Sequence, residues 1–117
     1  MRRNALAAAY DTALAGDGVQ LQRVPADTVS ARHLYVVRVP AEVHAQAFAG
    51  LRAAGVGVNL HYIPVHLQPW YQKLGFAPGQ FPESERYYRE AISLPLYSSL
   101  GAGQQQHVVS SLREVLQ

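Results

Sequence analysis

A chain of 117 residues, 49% of them apolar, is one domain with enough side-chain volume to bury a core without a metal or crosslink. It has no cysteine, which excludes a disulfide framework and any thiolate metal site. Ten basic and eight acidic residues leave a net charge of +2, nine arginines and the single Lys73 are scattered rather than striped, and no apolar run nears the roughly 20 residues that cross a bilayer, so the chain reads as a soluble, cytoplasmic protein with neither nucleic acid nor membrane as partner.

From Arg2 to Ala15 the residues Leu6, Ala9, Tyr10, Ala13 and Leu14 follow helical spacing, and Gly16 is placed to end the helix. No capping residue precedes Arg2, so the helix is expected to continue from a longer parent; a natural terminus that frays is the alternative. Asp17 to Arg32 is turn-rich, with a short edge strand possible in Val19 to Val24. His33 to Val39 is β-branched and aromatic and stops at Pro40, which predicts a central strand buried on both faces, the second covered by something outside this chain. Ala41 to Ala54 is an amphipathic helix on Val43, Ala47, Phe48, Leu51 and Ala54, ended by Gly55.

Gly55 to Tyr71 carries most of the functional promise. Val56, Val58 and Leu60 share one side of a period-two strand, leaving Gly57, Asn59 and His61 on the other. Pro64 and Pro69 fix two backbone angles, so the loop bearing His61, Tyr62 and His66 is expected to be held in shape. Pro69 opens a short helix with Trp70, Tyr71, Lys73 and Leu74; Pro82 opens another, with Glu83 and Glu85 in its first turn and Tyr87, Tyr88, Ala91 and Ile92 on its inner side. Ser93 to Tyr97 is a short extended segment, and Gln104 to Leu116 a closing helix on Val108, Leu112, Val115 and Leu116. The sum is an α+β domain with a small sheet of about three strands packed by four to five helices.

The chain offers little complete chemistry. His61 and His66 stand five apart across a proline, without the i, i+4 spacing or flanking ligands of a metal site, and His33, His44 and His107 read as packing or surface residues. None of the serines sits in a nucleophile elbow, and the paired glycines at 55/57 and 101/103 are turn glycines. Tyr62, Trp70, Tyr71 and Phe76 form either core or a stacking platform, with core the more frequent use of such spacing. Composition and spacing thus lead to a contact surface at His61 to Trp70 and no catalytic site.

The run Ala54-Gly-Val-Gly-Val-Asn-Leu-His-Tyr-Ile-Pro-Val-His-Leu-Gln-Pro-Trp-Tyr71, followed by Leu74-Gly-Phe76, Phe81-Pro82, Ala91-Ile-Ser-Leu-Pro-Leu96 and a terminal Val-Val-x-x-Leu helix, resembles the C-terminal domain of the DegT/StrS sugar aminotransferases. The resemblance covers nearly the whole chain as one domain, with residues 1–16 similar to the inter-domain helix that leads into it and His33-Leu-Tyr-Val-Val37 similar to its first strand. It implies a mostly antiparallel sheet and a parent enzyme that uses pyridoxal phosphate to move an amino group, usually from glutamate, onto a nucleotide-linked keto sugar. The wording His61-Tyr-Ile-Pro-Val-His66 is most similar to members that aminate a 4-keto UDP-amino sugar on the way to pseudaminic acid. Lys73, the only lysine, lies where the family has no cofactor lysine, and Gly101-Ala-Gly103 replaces a capping threonine and acids before the last helix.

Two hypotheses follow. In one the chain is an aminotransferase small domain, inactive and without cofactor by itself, in which His61, Tyr62 and His66 face the substrate cleft and Tyr35, Trp70 and Tyr71 pack; its parent takes a nucleotide sugar and an amino donor and forms a homodimer. In the other it is a non-catalytic interaction module that keeps the fold. The coding sequence upstream of Met1 separates them.

Overall fold

A computed structural model describes residues 2–117. Five α-helices and a three-stranded antiparallel sheet follow in the order α1 (Arg2–Ala13), β1 (Gln20–Leu21), β2 (Tyr35–Arg38), α2 (Ala41–Ala53), a 3₁₀ turn (Val65–Leu67), α3 (Pro69–Lys73), α4 (Pro82–Glu90), β3 (Ala91–Leu94) and α5 (Ala102–Val115). The sheet order is β1-β2-β3, so the strand read as central is central. Its register pairs Tyr35 with Leu94, Val36 with Ser93, Val37 with Ile92 and Arg38 with Ala91.

The core lies between one face of the sheet and helices α1, α2 and α5. Tyr35, Val37 and Val39 send their side chains into it, alongside Val58, Leu51 and Leu112, all essentially without exposed surface. From α1, Ala7, Tyr10 and Leu14 join them, so this helix is part of the core whatever precedes it. Tyr10 and Tyr35 stack with ring centroids 4.8 Å apart; the Tyr10 hydroxyl donates to the Pro95 carbonyl at 3.0 Å, and the Tyr35 hydroxyl to Asp11 Oδ1 at 2.7 Å. Burial raises both phenols above the ordinary tyrosine range, for Tyr35 with Asp11 adding to the effect.

Within the described residues β2 is buried on one face: Leu34, Val36 and Arg38 stay partly open and, with Gln20 and Tyr87, line a groove of 530 Å³, so this chain leaves the second face uncovered. Two expectations need correction. Residues 55–60 alternate as expected, with Val56 and Val58 buried and Gly57 and Asn59 exposed, but they make a single bridge, Asn59 to Ser93, instead of a strand. The apolar alternation was legible; a ladder needs successive partners, and beyond Asn59 the chain turns away. Finally, α4 ends at Glu90 and Ala91 opens β3, so Ala91 and Ile92 pack from a strand, while Tyr87 is exposed. The four residues of β3 are all buried, which explains why they showed no alternation.

Two helix ends bear on the site. Gly55, at φ +78°, takes the left-handed position after α2, and the amides of Ala54, Gly55 and Val56 close on the carbonyls of Gly50, Arg52 and Leu51. The chain is thereby aimed along β3. At α5, Gly101 occupies the cap position and its amide donates to Gln104 Oε1 at 2.9 Å, so half of a capping box survives without a threonine.

Candidate functional site

Between β3 and α4 on one side and solvent on the other runs the segment Asn59 to Gln68. Asn59 is fixed to Ser93 by two backbone hydrogen bonds, Ser93 N–H to Asn59 O at 2.9 Å and Asn59 N–H to Ser93 O at 3.2 Å. His61 follows, half-buried, with Nδ1 2.7 Å from Ser93 Oγ. The chain then leaves the surface: Tyr62 is 72% exposed, its ring edge-on to that of His61 at 4.6 Å, and Ile63 stands beside it. Pro64 returns the chain inward and starts the 3₁₀ turn.

His66 is only 6% exposed. Its ring packs on Phe81, centroids 4.8 Å apart, and its Nε2 meets Glu85 Oε1 at 2.8 Å. The same oxygen accepts the Gly79 amide at 2.6 Å. These hydrogen bonds, that from His66 first, hold the Glu85 carboxyl below the ordinary carboxylate range. An ionised Glu85 only accepts, so His66 donates from Nε2. The loop is therefore pinned at both ends, His61 on Ser93 and His66 on Glu85, with Tyr62 and Ile63 suspended between.

Of the three residues expected to meet a ligand, the structure puts His61 and Tyr62 at the surface and His66 inside the loop's anchor. Glu85 and Ser93 escaped notice in the sequence. Glu85 looked like an ordinary first-turn acid, and nothing in a spacing of 19 residues announces its pairing with His66. Ser93 was the one hydroxyl in the buried run Ile92-Ser93-Leu94, a signal that could have been read.

Of the aromatic residues read as packing, Tyr35 is buried in the core, but the others are open within this chain. Trp70 is 67% exposed, and Tyr71, Phe76 and Phe81 are exposed with Val65 and Leu74. Neither α3 nor α4 buries a residue fully. Residues 69–84 thus form an arm with an apolar flank, and the radius of gyration, 15.5 Å, exceeds the ~13 Å of a compact chain of this length. Singly exposed apolar residues are common, but Val65, Tyr71, Phe76 and Phe81 line one depression together, and apolar side chains grouped in this way mark a contact surface. Periodicity shows that a face is apolar, not whether this chain covers it.

Pyridoxal phosphate needs a lysine for its Schiff base and an acid for its pyridine nitrogen. Lys73 is exposed on the five-residue α3, with no acid hydrogen-bonded to it, and the residues of this chain do not fit that group. Among the described residues no three of His, Cys, Asp or Glu come together to hold a metal, and no helix is long and apolar enough to cross a membrane.

Residues 1–113 match the profile of the DegT/DnrJ/EryC1/StrS aminotransferases. The spore coat polysaccharide biosynthesis protein SpsC of Bacillus subtilis is 32% identical over 98% of this chain and 31% of its own length. The dTDP-3-amino-3,4,6-trideoxy-alpha-D-glucose transaminase of Streptomyces venezuelae is 36% identical over 97% of this chain and 30% of its own. The crystal structure of S. venezuelae DesV with a ketimine intermediate superposes with a TM-score of 0.87 at 35% identity, over 99% of this chain and 31% of that one. The chain thus spans less than a third of these relatives. Helicobacter pylori PseC, an aminotransferase of pseudaminic acid biosynthesis, superposes with a TM-score of 0.86 over 98% of this chain and 32% of its own, but at 22% identity, which speaks for the fold alone.

Proposed function

The chain belongs to the DegT/DnrJ/EryC1/StrS aminotransferase family, and on that premise we propose that it is the C-terminal domain of a longer pyridoxal-phosphate enzyme that transfers an amino group from glutamate to a nucleotide-linked keto sugar. The cofactor lysine and its acid belong to the remainder of the parent, which works as a homodimer in the cytoplasm. What this domain contributes is a preformed wall of the substrate cleft. The observation that carries this reading is the loop pinned by Ser93 and Glu85, which offers His61 and Tyr62 at the surface while its anchors stay inside. Such preorganisation spares the ordering cost of binding. His61 and Tyr62 contact the sugar nucleotide, and His66 serves by holding the loop. The apolar arm from Val65 to Phe81 lies against the rest of the parent and keeps water from the cleft.

For the sugar itself, the narrower reading is a 4-keto UDP-amino sugar on the way to pseudaminic acid, and it rests on the wording of His61 to His66. In the parent enzyme, His61→Ala should lower kcat/KM for the sugar nucleotide about tenfold or more, the ~1.4 kcal/mol scale of a lost polar contact, with the glutamate half-reaction little changed. Equal losses in both half-reactions would assign His61 to structure instead.

A further inference from the structure

His61 and Ser93 hold more information than their distance. Ser93 is 5% exposed, and both its backbone groups are committed to Asn59. Its hydroxyl has one partner among the described residues, His61 Nδ1 at 2.7 Å. A hydroxyl brings one proton to donate and two lone pairs to accept with, and a neutral imidazole has one nitrogen of each kind. Two arrangements are open. If Nδ1 carried the proton and donated to Oγ, the buried Ser93 O–H would face no acceptor, a loss of the kind native interiors avoid. If Ser93 donates to Nδ1, both groups are satisfied and the ring proton resides on Nε2. That nitrogen has no protein partner among the described residues, and it is not buried.

We propose that Ser93 is a positioning residue that fixes His61 as its neutral Nε2–H tautomer, so that the ring presents one N–H donor, and no acceptor, to a ligand. The group it suits is an acceptor oxygen of the sugar nucleotide, a carbonyl or phosphate oxygen, and it discriminates against an amine or amide N–H in the same place. This assignment rests on the reading of His61 as a ligand contact, but its test does not.

The experiment is long-range 15N–1H NMR of the histidine rings in the 117-residue chain at about pH 8.5, well above the ordinary histidine pKa. His61 should show a fully pyridine-like Nδ1 and a fully pyrrole-like Nε2, the limits of a single tautomer. Ser93→Ala should move both shifts toward each other, the tautomer ratio falling roughly tenfold, as the loss of one hydrogen bond allows. Ser93→Thr, which keeps the hydroxyl, should retain the wild-type pattern. A protonated Nδ1 or averaged shifts in the wild-type chain would overturn the assignment, as would a Ser93→Ala spectrum identical to wild type. The amide spectrum checks that the alanine variant is folded; should it not be, the wild-type ring shifts decide alone. Failure of the ligand-contact reading appears separately, as unchanged kcat/KM in His61→Ala of the parent beside an intact tautomer here.

Discussion

Gly50 sits on α2 where that helix crosses α5, and the substitution Gly50→Ala sets two effects against each other. A Cβ at this position would stand 2.5 Å from Val115 Cγ1 and 3.4 Å from Val115 Cβ. Carbon atoms at rest are ~3.5–4.0 Å apart, so the helices must part or Val115 must rotate by about 1 Å. Val115 is β-branched and strongly prefers one rotamer in a helix, which makes rotation costly. Overpacking of this kind costs ~1–3 kcal/mol. Against it, alanine gains ~1 kcal/mol over glycine in helix propensity. Because Val115 is the last residue of α5 and only partly buried, the cost should fall near 2 kcal/mol on that scale, leaving Gly50→Ala about 1 kcal/mol less stable than wild type. In a Val115→Ala background the clash is gone, and the same substitution should stabilise by ~1 kcal/mol. Urea unfolding of the four chains gives the coupling directly, about 2 kcal/mol. A coupling below ~0.5 kcal/mol, with Gly50→Ala stabilising in both backgrounds, would show that α2 and α5 are not in the contact described.

Glu85 offers a pH test. Its native pKa lies below the unfolded value, so its contribution is present above about pH 4.3 and is lost as pH falls through the native value; the melting temperature should drop with acid in the wild-type chain and lack that component in Glu85→Gln. Tyr10→Phe leaves the Pro95 carbonyl without its donor in a buried setting and should cost ~1–3 kcal/mol in urea unfolding. Lys73→Ala should change stability by less than ~0.5 kcal/mol and leave the cofactor absorbance of the parent untouched, since the side chain is solvated on α3.

What the sequence disclosed follows from what periodicity encodes. Val56 and Val58 against Gly57 and Asn59, Pro69 and Pro82 at helix starts, and the β-branched run through Val37 each record a local preference; the two helices and β2 formed where their residues placed them, while Val56 to Asn59 kept the alternation without the strand. Non-local facts left no such trace. Nothing in Pro82-Glu-Ser-Glu85 marks which acid turns inward to His66, and an aromatic such as Trp70 has the same spacing whether its partner is this chain or another surface. The half-open face of β2 is of the same kind: an apolar strand records that both faces meet apolar groups, not which molecule supplies them.

The junction at Glu90–Ala91, where helix becomes strand without an intervening residue, decides where this domain can tolerate a change of length. Glu85 on the helical side and Ser93 on the extended side grip the two ends of one loop, so the number of residues between them is fixed by geometry. One residue inserted after Glu90 would advance β3 by one position and turn the Ser93 hydroxyl to the opposite face, away from His61, while leaving Glu85 in place. The turn at 77–80 carries no such phase, because it joins helices whose relative offset no ladder fixes, provided that Gly79 keeps its amide on Glu85. Homologous enzymes should therefore vary in length at the tip of the arm and keep the Glu85–Ser93 interval constant.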